Sequence, residues 1–381
     1  MKRRLSCLLM AAALAACGGA GSEKSAPVGD AVATPAPAPV PAVQPVVVGN
    51  CSGLGAKDQW QPITPPGVDL GRGMGVLSVA TSPVNSGTLL AGTDGQGLWL
   101  STDCGATWTK RNTGRGGDKL DSGSLWVVRY DPTDANVVYA GSLYGSDIGL
   151  LKSTNGGVDW VSAFANNAAV AYAAPNPFFQ DIGIDPTQHL HVVVTIHDNC
   201  AHEFAPVCLL ESFDGGGSWR ALKGPPQLRG WAERAGVIVI GEKEFIFHTW
   251  MDGIFHTADA GNTWLPLGID GYFTPYPARD GYTYLPSIRG MHRTKNWLDW
   301  SAVDGAPSGD AIAGDGMRMF TAWDDFNPKL AYAYESDSSR WTAMALPTAN
   351  PKRISGLVYD PGHKLLYMSA TGSGLWRMVT Q

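Results

Sequence analysis

The residues best suited to chemistry in this chain lie in one short stretch, His197-Asp198-Asn199-Cys200-Ala201-His202-Glu203. Two histidines in such a stretch suit metal ligation by His197 and His202, or a histidine base for β-elimination from a uronic-acid polymer. Their spacing matches no defined metal motif, and we predict neither a metal nor a cofactor. Histidine, aspartate and asparagine are also common in surface loops, so a purely structural role stays open.

A second candidate is Asp94, in the turn Thr93-Asp94-Gly95. Cleavage of a glycosidic bond requires two carboxyl groups, one protonated and one ionised. This turn resembles that of xyloglucanase-type hydrolases, which implies that Asp94 is the catalytic base. Those enzymes draw their second carboxylate from another propeller, which this chain lacks, so the acid would be Asp147, Asp198 or Asp252. The alternative is that Asp94 is an ordinary hairpin-turn aspartate.

Other side chains suit binding rather than reaction. Arginines bind anions through paired hydrogen bonds, and aromatic rings with a polar edge hold glycans or protein partners. The arginines are Arg72, Arg229 and Arg289, and the aromatic residues are Tyr144, Trp231 and Trp250. Nothing in the spacing of the arginines selects them as one clamp.

One turn motif that ends in a tryptophan occurs four times and indicates a repeated β-sheet fold, which would hold these candidate residues in place. The four copies occupy residues 101–108, 153–160, 212–219 and 257–264. An Asp or Asn in the turn accepts backbone N–H groups, a glycine takes positive φ, and the tryptophan forms an apolar wedge between sheets. Seven tryptophans recur from Trp60 to Trp341, and their successive spacings of about 36 to 59 residues are the size of one propeller blade.

This turn resembles the Asp-box, or BNR, repeat of the sialidase superfamily, and the resemblance spans residues 58–381. In that superfamily the box is a stabilising hairpin, which implies that Asp103, Asp214 and Asp259 do no chemistry. A true sialidase is not indicated, because the early Arg-Ile-Pro segment of that family does not occur in the sequence.

The sequence predicts an all-β fold, a seven-bladed β-propeller. Each complete blade reads strand, turn, strand, loop, strand, box, strand, with Asp-Pro or Ser-Pro as a breaker after the first strand. The first strands of blades 1, 2, 3 and 7 are predicted at residues 76–81, 126–130, 182–184 and 356–359. The fifth and sixth blades keep Trp300 and Trp341 but are predicted to have lost the box.

The last blade lacks a fourth strand, and the segment Trp60-Gln61-Pro62-Ile63 is a fourth strand without a blade. Pairing the two closes the ring and removes both sheet edges. Four cysteines remain once Cys7 and Cys17 are set aside, which allows three disulfide connectivities. We favour Cys51 with Cys104, as a latch for the N-terminal strand, and Cys200 with Cys208, as a pin for a loop.

In sialidase-like propellers the ligand lies in the central depression of the face opposite the boxes. The resemblance therefore implies a site built from the loops between second and third strands and from the connections between blades. The residues predicted to reach that face are Asp69, Arg72, Asp94, Arg115, Asp118, Tyr144, Asp147, His197, Asp198, His202, Glu203, Arg229, Trp250, Asp252 and Arg289.

The N-terminal part reads as a targeting segment and a tether. Residues 1–16 are predicted to be a lipoprotein signal peptide, because Lys2-Arg3-Arg4 precedes a short apolar run and Leu14-Ala15-Ala16-Cys17 matches the bacterial lipobox. Cys17 would carry the lipid, and Gly18 implies the outer membrane by resemblance to other lipoproteins. Residues 17–49 form an Ala/Pro-rich tether that cannot bury a core, and residues 50–381 form the propeller.

Composition limits the partners. Charged residues make up 16% of the chain, which has 47 glycines and a net charge of −6, so it offers no basic footprint for nucleic acid. We predict a monomer that touches the membrane only through its lipid and that binds extracellular polysaccharide or glycan, with glycoside hydrolysis as the favoured activity. The alternatives are a non-catalytic glycan- or protein-binding scaffold and a polysaccharide lyase.

Overall fold

A computed structural model describes residues 47–145, 148–196, 200–228, 234–250, 252–271, 274–323, 328–347 and 353–381. Seven four-stranded antiparallel sheets make up the described chain, which confirms the predicted seven-bladed β-propeller. The first strands of neighbouring blades pack together around a central channel, and we call them the inner strands. No helix within the described ranges has the length and apolar character needed to cross a bilayer.

In blades 1 to 4 the inner strand comes first in the chain, and each following strand lies further out. Blade 1 consists of Val76–Thr81, Leu89–Thr93, Leu98–Ser101 and Thr109–Lys110; blade 2 of Ser124–Tyr130, Val138–Leu143, Gly149–Ser153 and Val161–Ser162; blade 3 of Phe179–Ile184, Val192–Ile196, Cys208–Ser212 and Arg220–Lys223; and blade 4 of Gly236–Gly241, Glu244–Thr249, Gly253–Thr257 and Leu265–Pro266.

Blades 5 and 6 follow the same order, and blade 7 takes its outermost strand from the N-terminal segment. Blade 5 consists of Tyr276–Pro277, Thr283–Ser287, Gly290–Thr294 and Trp300–Ala302; blade 6 of Ala311–Gly314, Arg318–Trp323, Lys329–Tyr334 and Asp337–Met344; and blade 7 of Arg353–Asp360, Leu365–Thr371, Gly374–Val379 and Trp60–Pro62. The remaining elements are Val47–Val48 paired in parallel with Asn85–Ser86, the α-helix Ala168–Ala173, and the 3-10 segments Gly117–Asp121 and His202–Phe204.

The N-terminal strand closes the ring as the sequence predicts. Trp60 pairs with Met378 in an antiparallel register, so blade 7 gains its fourth strand from the other end of the chain. Blade 7 then packs on blade 1, where Val76 and Leu89 share a buried apolar cluster with Leu365. Burial of this cluster and the loss of two free sheet edges both stabilise the closed ring.

The segment 49–53, which precedes this strand and which we call the strap, stabilises the closed ring. The Nε2 atom of His363 donates to the carbonyl of Gly49 at 2.9 Å. Cys51 and Cys104 form a disulfide with 5.5 Å between their Cα atoms, the pairing that the sequence favours. Beside it, the buried guanidinium of Arg377 donates to the carbonyl of Cys104 at 2.9 Å. The strap therefore joins the first blade to the last.

The first box shows why its aspartate is structural. The Asp103 carboxylate accepts from the Thr107 N–H at 2.8 Å and from the Ser101 hydroxyl at 2.8 Å. The Ser101 oxygen in turn accepts from the Gly105 N–H at 2.8 Å. Partial burial alone raises the pKa of Asp103, but the hydrogen bonds from Thr107 and Ser101 outweigh it and hold the pKa below its usual value. Asp214 and Asp259 make the corresponding bonds.

The prediction that blade 5 has lost its box is wrong, because the hydrogen bonds typical of the box are still made there. A turn one residue shorter survives there, in which the Trp297 N–H donates to Thr294 Oγ1 at 2.9 Å and the Asp299 N–H donates to Asn296 Oδ1 at 2.8 Å. Trp297, with φ of 64°, takes the place of the glycine. Blade 6 does lack the box, because Tyr334 pairs directly with Asp337 across a tight hairpin.

The tryptophans that follow the boxes join each blade to its predecessor. Trp160 is 2% exposed and packs among residues of blades 1 and 2, including Leu98. The indole N–H of Trp219 donates to the carbonyl of Ala163 at 2.8 Å, just after the outer strand of blade 2. The wedge role expected from the sequence is thus confirmed.

Candidate functional site

The two faces of the propeller carry different connections. We call the box face the one with the boxes and the turns between first and second strands. The linker face carries the loops between second and third strands and the connections between blades. The Val47–Val48 strand and the Cys51–Cys104 disulfide lie on the box face, because their partners belong to turns of that face.

The predicted site residues that the structure describes all lie in linker-face segments. They are Asp69, Arg72, Asp94, Arg115, Asp118, Tyr144, His202, Glu203, Trp250, Asp252 and Arg289. The predictions for Cys17, Asp147, His197, Asp198, Arg229 and Trp231 lie outside the described residues.

Asp94 is held by two structural hydrogen bonds. Its Oδ1 accepts from the Ser124 hydroxyl at 2.5 Å, and its Oδ2 accepts from the Met74 N–H at 2.9 Å. Asp94 and Ser124 also form a β-bridge between blades 1 and 2. The side chain thus ties the connection that enters blade 1 to the start of blade 2.

Arg72 and Arg289 have different neighbours. Arg72 is exposed, and its Nη2 atom lies 4.0 Å from the position that a Cβ would take on Gly95. Arg289, with 81% of its side chain exposed, lies 3.7 Å from the Asp270 carboxylate. Arg72 lies in the connection that enters blade 1, and Arg289 lies in the loop between the second and third strands of blade 5.

Two of the aromatic candidates, Tyr144 and Trp250, each contact another side chain. Tyr144 is 69% exposed and meets the Phe178 ring edge-on, with 5.1 Å between ring centres. The guanidinium of Arg234 lies 4.9 Å from the Trp250 ring centre. In the same loop, the Asp252 N–H donates to Thr249 Oγ1 at 2.9 Å and shapes the turn that follows blade 4's second strand.

The inner strands contain a feature that the sequence did not reveal. Blades 7, 1, 2 and 3 are neighbours in the ring, and each carries one extra residue near the linker-face end of its inner strand. The register shifts fall at residues 354–356, 76–78, 124–127 and 179–181. Such bulges bend a strand and re-aim side chains, and they are frequent beside functional sites.

The bulged strands bring polar and aromatic side chains to the mouth of the channel. The Arg353 guanidinium of blade 7 lies 5.6 Å from the Trp126 ring centre of blade 2, although blade 1 separates them. Arg129 Nη2 binds Asp181 Oδ1 at 2.9 Å and lies 3.4 Å from the Thr274 hydroxyl. Sequence reasoning missed these residues; the signal was the presence of charged side chains inside strands that otherwise read as apolar.

His248 lies behind this ion pair, on the second strand of blade 4. A Cβ on Gly236 would lie 2.4 Å from its ring and 2.9 Å from Asp181 Oδ2, so the glycine makes room for both groups. Burial lowers the pKa of His248 to about 4, although the charge of Asp181 opposes this. The imidazole is therefore neutral near pH 7, and its Nδ1 has no hydrogen-bond partner among the described residues.

Within the described ranges, three residues of types that can bind metals lie close together. They are Cys51, Cys104 and His363. The two cysteines are bonded to each other, so their sulfurs are not thiolate ligands. The ring of His202, which the sequence suggested as a ligand together with His197, stacks on Tyr172.

Comparisons with known proteins agree on the fold. No protein-family model matches the sequence. Xyloglucanase Xgh74A of Acetivibrio thermocellus is 25% identical over 352 aligned residues, covering 79% of this chain and 40% of the relative. The GH74 xyloglucanase structure from Xanthomonas campestris superposes with a TM-score of 0.58 at 17% identity, covering 84% of this chain and 53% of that one. An extracellular domain from B. thetaiotaomicron gives 0.55 at 13% identity, covering 80% and 39%.

The fold and these comparisons define the class: a seven-bladed β-propeller with a glycoside hydrolase-like fold. The chain spans less than half the length of the curated relative and about half of the xyloglucanase structure. A shared fold does not fix an activity, so function has to be argued from the site.

Proposed function

We propose that this protein binds polysaccharide at the channel mouth of the linker face. The observation that carries this proposal is the pairing of Trp126 with Arg353 across the mouth. The inner strands of blades 2 and 3 add the Arg129–Asp181 ion pair. Carbohydrate sites need a flat apolar surface for the ring of a sugar and a few fixed polar groups for its hydroxyls. Trp126 is half-buried and supplies the first, and the charged side chains supply the second.

The xyloglucanase relatives make xyloglucan the first polymer to test, followed by other β-glucans and uronic-acid polymers. We expect the purified protein to be retained on at least one of them, and Trp126→Ala to weaken retention about tenfold or more. Tyr334→Ala is the matched control, because Tyr334 is 52% exposed at a box-face hairpin. Equal retention of wild type and Trp126→Ala would overturn the proposal.

Hydrolysis is the second candidate function. It is favoured by the sequence likeness to a xyloglucanase and by the carboxylate of Asp181, which lies 2.9 Å from Arg129. Water would attack the anomeric carbon with a carboxylate as base, while a second carboxyl group protonates the departing oxygen. New reducing ends that appear with wild type and disappear in Asp181→Asn or Asp252→Asn would support hydrolysis. Binding of polymer without any product would show that the protein binds polysaccharide and does not cleave it.

We also propose that Cys17 is lipidated and holds the propeller at the outer membrane through residues 17–49. The support is the lipobox and the low-complexity composition of the tether. The strand Val47–Val48 joins the box face, so such a tether would leave the linker face free for polymer. Fractionation of cells that express Cys17→Ser tests this: release from the membrane supports it, and unchanged membrane association contradicts it.

A further inference from the structure

A projection stands on the linker face next to the outer strand of blade 3. The helix Ala168–Ala173, in the connection between blades 2 and 3, is capped by the Asn167 side chain, which accepts from the Ala169 N–H at 3.0 Å. Its C-terminal carbonyl, on Ala173, accepts from the Ala201 N–H at 2.7 Å. The neighbouring loop is closed by the Cys200–Cys208 disulfide, with 5.8 Å between Cα atoms. The cap, the backbone bond and the disulfide limit the motion of this unit.

The projection presents two stacked rings. The rings of Tyr172 and His202 are nearly parallel and stacked, with 4.2 Å between ring centres and 6° between ring planes, and Phe204 meets Tyr172 edge-on. The Tyr172 hydroxyl donates to Glu203 Oε2 at 3.2 Å, which fixes the ring in its plane. Tyr172 is 49% exposed, so the stack is held in place by its own contacts while much of it faces solvent.

A shallow groove runs along the same helix. Its volume is about 340 Å³, and its apolar floor includes Phe164 and Pro177, while Asn166 and Asn167 contribute polar groups. This volume falls at the lower end of the range for small-ligand sites. Ordered aromatic rings cost little conformational entropy when they bind a ligand, because the rings are already fixed.

We infer that the Tyr172–His202 stack is a second polysaccharide-binding site, separate from the channel mouth and occupied by the same polymer chain. This inference rests on the proposed function. A flat, preorganised aromatic surface with an exposed carboxylate at its edge suits a sugar ring and its hydroxyls better than it suits an apolar partner. A long chain that engages both sites gains affinity through effective concentration, whereas a short oligosaccharide engages one site at a time.

The test compares a long polymer with an oligosaccharide of about four sugars, chosen from the polymer that the wild type retains. Tyr172→Ala is expected to weaken binding of the long polymer about five- to twentyfold and to leave binding of the short oligosaccharide at the mouth unchanged. Tyr172→Phe keeps the ring and loses only the bond to Glu203, so it should stay within about threefold of wild type. Tyr334→Ala serves again as the matched surface control.

The possible failures are distinguishable. If wild type binds no polysaccharide, the proposed function fails and this site fails with it. If wild type binds and Trp126→Ala weakens binding while Tyr172→Ala binds long polymer as wild type does, the second site alone is overturned. Equal losses of short and long ligands in Tyr172→Ala would also overturn it, because a separate site predicts a dependence on length.

Discussion

The guanidinium of Arg353 lies 5.6 Å from the ring centre of Trp126, and this contact links blade 7 to blade 2 across the channel mouth. A planar guanidinium stacks on an aromatic ring, whereas the ammonium of a lysine keeps the charge and loses the flat contact. We predict that Arg353→Lys weakens polysaccharide binding about fivefold, corresponding to about 1 kcal/mol. Titration calorimetry measures this, and an unchanged Kd would mean that the pair has no part in binding.

Asp94 gives a prediction that separates a structural role from a catalytic one. Asp94→Ala leaves the Ser124 hydroxyl and the Met74 N–H without their acceptor, so we expect the free energy of unfolding to fall by about 1–3 kcal/mol. Asp94→Asn keeps one oxygen and should cost less. Urea denaturation measures both. Loss of hydrolysis in Asp94→Asn at unchanged stability would instead support the catalytic base suggested by the sequence.

His191 gives the protein a pH-dependent contribution to stability. It is buried between Asp185 and Glu211, with its ring nitrogens 3.1 and 3.0 Å from their oxygens. Burial alone lowers its pKa, but the two carboxylates outweigh burial and raise it above the usual value. Because the folded state binds the proton more tightly, this contribution is full below about pH 6.5 and is lost as the pH rises through the raised pKa.

We therefore expect the melting temperature of wild type to fall as the pH rises above about 6.5, and His191→Gln to flatten that part of the profile. His248 does not interfere, because its pKa is lowered to about 4 and its contribution is lost on the acid side of pH 6.5. A wild-type profile that His191→Gln leaves unchanged would show that the histidine is not the titrating group.

The two disulfides should contribute differently to the free energy of unfolding. Cys51–Cys104 spans a sequence separation of 53 residues and Cys200–Cys208 one of 8. In the chain-entropy account, removing the first costs about 4 kcal/mol and removing the second about 2.5 kcal/mol. Thermal unfolding of the two double-serine variants checks the order. The opposite order would show that the hydrogen bonds of His363 and Arg377 hold the N-terminal strand in place without the Cys51–Cys104 disulfide.

The sequence predicted the blade count and the closure because both depend on strong local signals. The repeated turn motif fixes its own hydrogen bonds, and the segment that begins at Trp60 was predicted to be a strand without a blade. The shortened box of blade 5 escaped prediction because Trp297 adopts a positive φ that the motif reserves for glycine. Positive φ in a tryptophan is uncommon and has no signature in the sequence.

The channel mouth could not be predicted, for a related reason. The inner strands of blades 2, 3 and 7 were predicted to begin at residues 126, 182 and 356, whereas they begin at Ser124, Phe179 and Arg353. In each case a bulge breaks the alternation of inward and outward side chains on which the prediction depended. Asp181 and Arg353 fall within the missed residues.

Hydrogen–deuterium exchange with and without a bound polysaccharide tests the central claim most directly. Binding at the channel mouth predicts slower exchange in Ser124–Tyr130 and Arg353–Asp360 and in the linker-face loops, with no change in the boxes or in Val47–Val48. Protection confined to the box face, or none near Trp126 at saturating polymer, would contradict the account.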